Sequence, residues 1–115
     1  MKELMERLED GGCDVKATMI RLLDDVELYK TCLCEFIKDK GFDDLGIALK
    51  KGETLEALDC AHMLKGVAAN LGIIPILNIL IEINEQLKCE NCDNMMPKYK
   101  KLIDEKEKLT DLVSK

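Results

Sequence analysis

Residues 54–87 read TLEALDCAHMLKGVAANLGIIPILNILIEINEQL, and this stretch decides the fold. Apolar residues recur every three or four positions on both sides of Gly72, which is typical of amphipathic helices. A glycine that ends one helix, followed by a proline in the first turn of the next, is a common way to stop and restart a helix. The sequence therefore predicts a helix from Thr54, as its N-cap, to Gly72, and another from Pro75 through Leu87. Since the second is apolar around most of its girth, we expect it to lie centrally.

The other segments have the same helical period. They predict a short helix over residues 3–9, a helix that begins after Asp14, a third that begins near Asp24 and Asp25, and a last helix over about 97–113. The third should break or kink between Gly41 and Gly46, because glycine disfavours a helix interior. Four long helices with short connections predict an all-α fold, an antiparallel up-and-down four-helix bundle with short extra N-terminal helices, as a single domain over residues 1–115.

Composition narrows the possible functions. The chain carries a formal net charge of -6 and no basic stripe offsets it, which argues against binding to nucleic acid. No apolar run approaches the roughly 20 residues that a membrane span needs, and the first residues do not resemble a secretion signal. We therefore expect no contact with membranes and a cytoplasmic protein.

The six cysteines allow more than one interpretation. They could form a disulfide framework, but the chain has enough aliphatic residues to fold without one, and Cys32, Cys34 and Cys60 lie within helical patterns. We expect reduced thiols. The pair Cys89 and Cys92 has the spacing of two zinc ligands or of a redox pair, yet further ligands are not evident. The sequence does not assign a role to this pair, and we predict no metal site.

The single histidine stands out by its position on the helix over 54–72. At about 100° per residue, the apolar residues of this helix form one arc, and His62 lies roughly opposite its centre. Positions three and four residues away on the same face are Leu58, Asp59, Lys65 and Gly66, and one turn further out lie Leu55 and Ala69. This face is mostly small or apolar, with one lysine beside His62. A surface histidine alone usually has no function, but this surrounding face is unusual for a solvated one.

The face around His62 suits a phosphoryl acceptor. An imidazole can be both neutral and nucleophilic at neutral pH, and here it is exposed to a donor that another protein would carry. Lys65 can place an ammonium against the incoming phosphate. Gly66, in mid-helix with no turn to make, indicates close approach by a docking partner. Leu55, Leu58, Gly66 and Ala69 would form the docking surface, although the N-terminal helix could instead cover the two leucines.

Residues 61–72, AHMLKGVAANLG, resemble the signature of histidine-containing phosphotransfer (HPt) domains of two-component phosphorelays, roughly A-H-x-L-K-G-x-A-x-x-L-G. The segment DVELYK over 25–30, then Phe36 and Ile37, is similar to the helix that precedes the signature in that family. The entry segment CDVKATMIRLL over 13–23 is also similar, so the resemblance spans about residues 13–88.

The resemblance implies a monomeric bundle that shuttles a phosphoryl group between aspartates of receiver domains, with Mg²⁺ on the receiver and no cofactor of its own. His62 would be the phosphorylated residue, Lys65 its phosphate-facing helper and Gly66 the position that gives the receiver room. No glycine-rich nucleotide-binding segment follows, so we expect a phosphocarrier without an ATP site. Two alternatives remain open: an HPt domain excised from a hybrid sensor kinase, and a helical adaptor that uses the same surface without phosphorylation.

Overall fold

The computed structural model describes residues 4–89 and 94–114. All regular secondary structure within these ranges is α-helical, which confirms the predicted fold class. The seven helices described are α1 (Leu4–Asp10), α2 (Val15–Arg21), α3 (Val26–Ile37), α4 (Gly41–Lys51), α5 (Thr54–Leu71), α6 (Ile74–Lys88) and α7 (Met96–Ser114). None of these helices is long and apolar enough to cross a membrane.

Local sequence signals explain most of the helix ends. The Asp14 carboxylate accepts a hydrogen bond from the backbone N–H of Ala17 at 3.2 Å, and Asp25 accepts one from Leu28 at 3.0 Å. Each is therefore the N-cap of a helix that was predicted to begin at about that position. The prediction that Thr54 caps α5 is wrong by one residue. The carbonyl of Glu53 already accepts the N–H of Ala57 at 3.0 Å, which makes Glu53 the N-cap and Thr54 the first helical residue.

The break in the third predicted helix lies earlier than expected. Helix α3 ends at Ile37, and the Asp39 carboxylate accepts the N–H of Gly41 at 2.7 Å where α4 begins. Gly46 lies inside α4 and is buried. A Cβ at Gly46 would come within 2.5 Å of the hydroxyl oxygen of Tyr99, so this glycine permits close packing of α7 on α4.

Helix packing places α5 in the middle of the molecule. Helix α5 packs against α2, α3, α4 and α6, whereas α7 packs against α1, α3, α4 and α6. Helices α3, α4 and α6 each pack against both α5 and α7, and each of the short N-terminal helices packs against a long one. The prediction that α6 is central is wrong: its main contacts are with α5 and α7, and Ile81 is 41% exposed.

Candidate functional site

Helix α5 carries the candidate site on the face turned away from the core. Its buried side chains are Ala57, Ala61, Leu64, Ala68 and Leu71. Three of these five are alanines, whose short side chains allow neighbouring helices to approach closely. The predicted apolar arc is therefore confirmed in its centre, while Cys60 and Val67 at its edges are only partly covered.

His62 is exposed on the opposite face of α5, as the periodicity predicts. Lys65, three residues further along, is half-buried, so its aliphatic stem lies against the protein while its ammonium can reach solvent. Within the described residues, neither side chain forms a hydrogen bond or an ion pair. Both functional groups are thus available to a molecule that approaches this face.

The four residues predicted to form the docking surface are not equally accessible. Leu55 is 76% exposed, and Ala69 and Gly66 are exposed as well. Leu58 is half-buried and packs against the hydrophobic core, so it contributes only part of its side chain to the surface. The structure brings all four onto the His62 face of one helix.

Two exposed apolar side chains of α5 were not among the predicted docking residues. Met63 is 72% exposed, and Val67 is 37% exposed. Helical periodicity assigned Val67 to the buried arc, since the pattern alone does not show which neighbouring helix covers a given edge. Val67 instead lines a groove of about 440 Å³ between α2, α3 and α5, together with Arg21, Leu22, Cys32, Glu35, Phe36, Asp39, Asn70 and Leu71. Met63, the residue after His62, thus adds exposed apolar surface to α5, whereas Val67, about 140° from His62 around the helix, faces this groove.

Gly66 has no structural reason to be a glycine. Its φ is not positive, and a Cβ built there would meet no atom within 4 Å. Gly72, in contrast, has φ of 68°, and a Cβ on it would meet the side chain of Thr18 and the backbone of Asp14. The fold requires glycine at Gly72 but leaves open space above Gly66. This open space lies one helical turn from His62.

The carboxyl end of α5 is held by a set of hydrogen bonds from α2 and α3. The Arg21 guanidinium donates to the carbonyls of Ala69 (3.1 Å) and Asn70 (2.9 and 3.0 Å). The buried hydroxyl of Tyr29 donates to the Leu71 carbonyl at 2.8 Å, and burial raises the pKa of Tyr29 to about 12. No local sequence pattern indicates these contacts, because each donor lies more than 40 residues from its acceptor.

The amide of Asp14 completes this set. Its N–H donates to the carbonyl of Gly72 at 2.7 Å, so four consecutive carbonyls, from Ala69 to Gly72, receive a donor from α2, α3 or the α2 N-cap. Helix termini normally leave such carbonyls to water. The last turn of α5 is thereby fixed relative to the N-terminal part of the chain.

The cysteines form no disulfide among the described residues. Burial raises the pKa of the Cys13 thiol to about 11, and burial, followed by the charges of Asp44 and Asp59, raises that of Cys60. Cys89 is exposed, but Cys92 lies outside the described residues, so the predicted Cys89–Cys92 pair cannot be placed as a unit. Over residues 4–89 and 94–114, no group of three or more His, Cys, Asp or Glu side chains is arranged to hold a metal.

A pair of acidic side chains lies at the other end of α5. The pKa of the Glu56 carboxyl is raised, mainly because it shares a hydrogen bond with Glu53 and secondarily because the charge of Glu53 repels its own. Both acids lie in the first turn or just before it, where negative charge complements the helix dipole. We assign them to helix stabilisation and not to the His62 face.

No protein-family model, no curated protein and no solved structure matches this chain. The functional conclusion consequently rests on the residues and their geometry.

Proposed function

We propose that this protein is a phosphorelay intermediate that accepts a phosphoryl group on His62 from a receiver-domain aspartate and passes it to another receiver. The observation that carries the proposal is the pairing of an exposed His62, without a partner among residues 4–89 and 94–114, with the open space above Gly66 on one face of α5. A structural histidine would be covered or hydrogen-bonded, and a structural glycine would have a turn or a neighbour. In this chain neither residue serves the fold, so a role in binding and transfer accounts for both.

In the proposed step, a ring nitrogen of His62 uses its lone pair to form a bond to the phosphorus of an aspartyl phosphate. The P–O bond to the receiver's carboxylate breaks, and its electron pair leaves on the carboxylate. Transfer to the next receiver is the reverse of this step. The receiver supplies the Mg²⁺ and the activated phosphate, so this chain needs to supply only the nucleophile and its surroundings.

Lys65 is suited to assist by charge. Its ammonium has no partner among the described residues. Lys65 lies three residues after His62, on the same face of α5, where its charge can attract the phosphoryl oxygens. Exposed charges interact by only about 0–1 kcal/mol in water, but a docked receiver excludes water and strengthens the attraction. Lys65→Ala should therefore slow transfer several-fold and leave the melting temperature nearly unchanged. A normal transfer rate would remove Lys65 from the mechanism.

The docking surface in this proposal is the face that carries Leu55, Leu58, Gly66 and Ala69. A relay contact must form and dissociate quickly, so we expect an interface at or below about 1,200 Å² of total buried surface. Chemical-shift changes in the backbone amides on addition of a receiver should centre on α5. Changes centred on α7 would place the docking surface elsewhere.

The fold proposed with this function is an antiparallel four-helix bundle in a cytoplasmic, monomeric protein. In this arrangement α3 and α4 together take the place of one helix of the bundle, and α5, α6 and α7 are the other three. The pairwise packing of these helices supports the arrangement.

The decisive experiment compares the protein with His62→Gln. Receiver domains are charged with acetyl phosphate and Mg²⁺, mixed with each protein, and transfer is followed by intact-mass spectrometry under non-acidic conditions. We expect the mass of one phosphoryl group on the unsubstituted protein and none on His62→Gln, with equal helical content by circular dichroism. An adaptor that binds receivers without phosphorylation would bind equally well with either residue and gain no mass. Phosphoryl transfer to His62→Gln would rule out His62 as the acceptor.

A further inference from the structure

Each of the two short N-terminal helices carries an arginine that donates hydrogen bonds to carbonyls near the end of a long helix. The last turn of α2 carries Arg21, which donates to the carbonyls of Ala69 and Asn70 at the end of α5. Helix α1 carries Arg7, whose Nε donates to the Leu112 carbonyl near the end of α7 at 3.2 Å. Each arginine therefore caps the carboxyl end of a long helix, where cations also complement the helix dipole. Only one of these long helices carries His62.

We propose that Arg21 is a positioning residue for phosphoryl transfer: it holds the last turn of α5 in the conformation that a receiver docks against. This inference rests on the proposed function of His62. Ala69, whose carbonyl accepts from Arg21, belongs to the proposed docking surface, and Asn70 and Val67 line the adjacent groove with Arg21 itself. Arg21 thus acts through the backbone of α5 and does not touch the phosphate.

The cap made by Arg21 can be removed without opening the core. Its hydrogen bonds to Ala69 and Asn70 are exposed, whereas the neighbouring bond from Tyr29 to Leu71 is buried and remains. Loss of Arg21 should therefore let the last turn of α5 fray while the rest of the helix stays folded. A receiver that must reorder this turn binds more weakly, since only the ordered fraction is competent to bind.

We expect substitution of Arg21 to weaken receiver binding and to leave the rate of the chemical step unchanged. For Arg21→Met, the receiver concentration at half-maximal rate should rise by about two- to fivefold, the range of a helix-terminal charge interaction. The maximal transfer rate should stay constant, because His62 lies about two turns from the released end. Arg21→Lys keeps the charge and should recover part of the loss.

Phosphoramidate serves as a second donor that needs no docking. Its P–N bond breaks as the His62 nitrogen attacks phosphorus, and ammonia leaves. Labelling by phosphoramidate should be equal in the unsubstituted protein, Arg21→Met and Arg7→Met. Arg7→Met is the matched control, since it removes an arginine cap from α7 and should leave the receiver concentration at half-maximal rate unchanged.

Three outcomes would overturn the inference. Equal receiver kinetics for Arg21→Met and Arg7→Met would show that the cap on α5 has no special role. A slower reaction of Arg21→Met with phosphoramidate would indicate a general loss of structure. If the unsubstituted protein takes label from neither donor, the proposed function itself fails, and the inference fails with it. Amide hydrogen exchange over 68–71 must also accelerate in Arg21→Met, whichever donor is used.

Discussion

Three glycines on two adjacent helices should respond in different ways to the same small substitution. At Gly66 an added methyl group meets no atom within 4 Å, and the backbone is helical. Alanine is more favourable than glycine in a helix interior by up to about 1 kcal/mol, so Gly66→Ala should stabilise the protein. With an unfolding entropy of about 2.1 cal/mol/K per residue, 115 residues convert this gain to a rise of roughly 4 °C in melting temperature.

The same substitution should destabilise at the other two glycines. In Gly46→Ala the new Cβ would lie 2.5 Å from the Tyr99 hydroxyl oxygen and 2.6 Å from its ring, and relieving such overpacking costs about 1–3 kcal/mol. In Gly72→Ala the left-handed backbone alone costs about 1–2 kcal/mol, and the Cβ would also lie 2.5 Å from the Asp14 carbonyl oxygen. Thermal melting followed by circular dichroism measures all three.

A bulky substitution at Gly66 should reduce phosphoryl transfer without reducing the stability of the protein. Gly66→Gln places a long side chain over the same open space without disturbing the core, so it should melt close to the unsubstituted protein. Phosphoryl transfer needs the imidazole nitrogen within about 3–3.5 Å of phosphorus, and a displacement of about 1 Å can cost on the order of a hundredfold in rate. We expect Gly66→Gln to lose at least about tenfold in receiver-dependent transfer, with Gly66→Ala affected far less.

The results that would refute this reasoning are distinct. Unfolding of Gly66→Gln would mean that the surface over Gly66 is covered in solution. A folded Gly66→Gln that transfers at the normal rate would mean that no partner approaches closely above it. Phosphoramidate labelling of the same variant shows whether His62 itself remains reactive.

Three further predictions concern the interior and the thiols. Tyr29→Phe leaves the buried Leu71 carbonyl without its hydrogen-bond donor. The free energy of unfolding, measured by chemical denaturation, should therefore fall by about 1–3 kcal/mol. No loss of stability would mean that this hydrogen bond is absent in solution. Asn84 is 1% exposed, and its side-chain amide has no hydrogen-bond partner among the described residues. Asn84→Leu should therefore raise the free energy of unfolding by about 1–3 kcal/mol in the same assay. A decrease of comparable size would reveal a hydrogen bond to that amide. Cys34 is exposed, while Cys13 is buried with a pKa of about 11. A disulfide reagent at neutral pH should therefore modify Cys34 in the folded protein and Cys13 only on unfolding, and equal rates for these two thiols by mass spectrometry would contradict the burial of Cys13.

The sequence predicts those parts of the structure that depend on neighbours along the chain. The starts of α2 and α3 were predictable at about Asp14 and Asp25, because each of these residues accepts a hydrogen bond from an N–H only three residues away. The outward direction of His62 followed from helical geometry alone. Gly46 was misread as a possible break because its reason for being glycine is Tyr99, which lies 53 residues further along the chain and reaches it only in the folded protein.

The remaining features depend on which helices meet. Helix α6 was expected at the centre of the bundle because apolar residues occur on most of its faces. Hydrophobic content alone, however, does not show how many other helices pack against it. Val67 is partly exposed for the same reason. The arginine caps join residues that no local pattern connects, so Arg21 could be recognised as part of the site only from the fold.

The contact of α1 with α7 brings the first and last described helices together, with Arg7 and Leu112 joined across 105 residues of sequence. The first described helix and the end of α7 therefore lie side by side, an arrangement that in folded domains tolerates circular permutation and insertion into the loop of another protein. A unit of this kind can be carried within a larger polypeptide without strain on α5. A receiver tethered nearby by a short flexible linker would then meet His62 at an effective concentration on the order of millimolar, at which even weak docking is enough for efficient transfer.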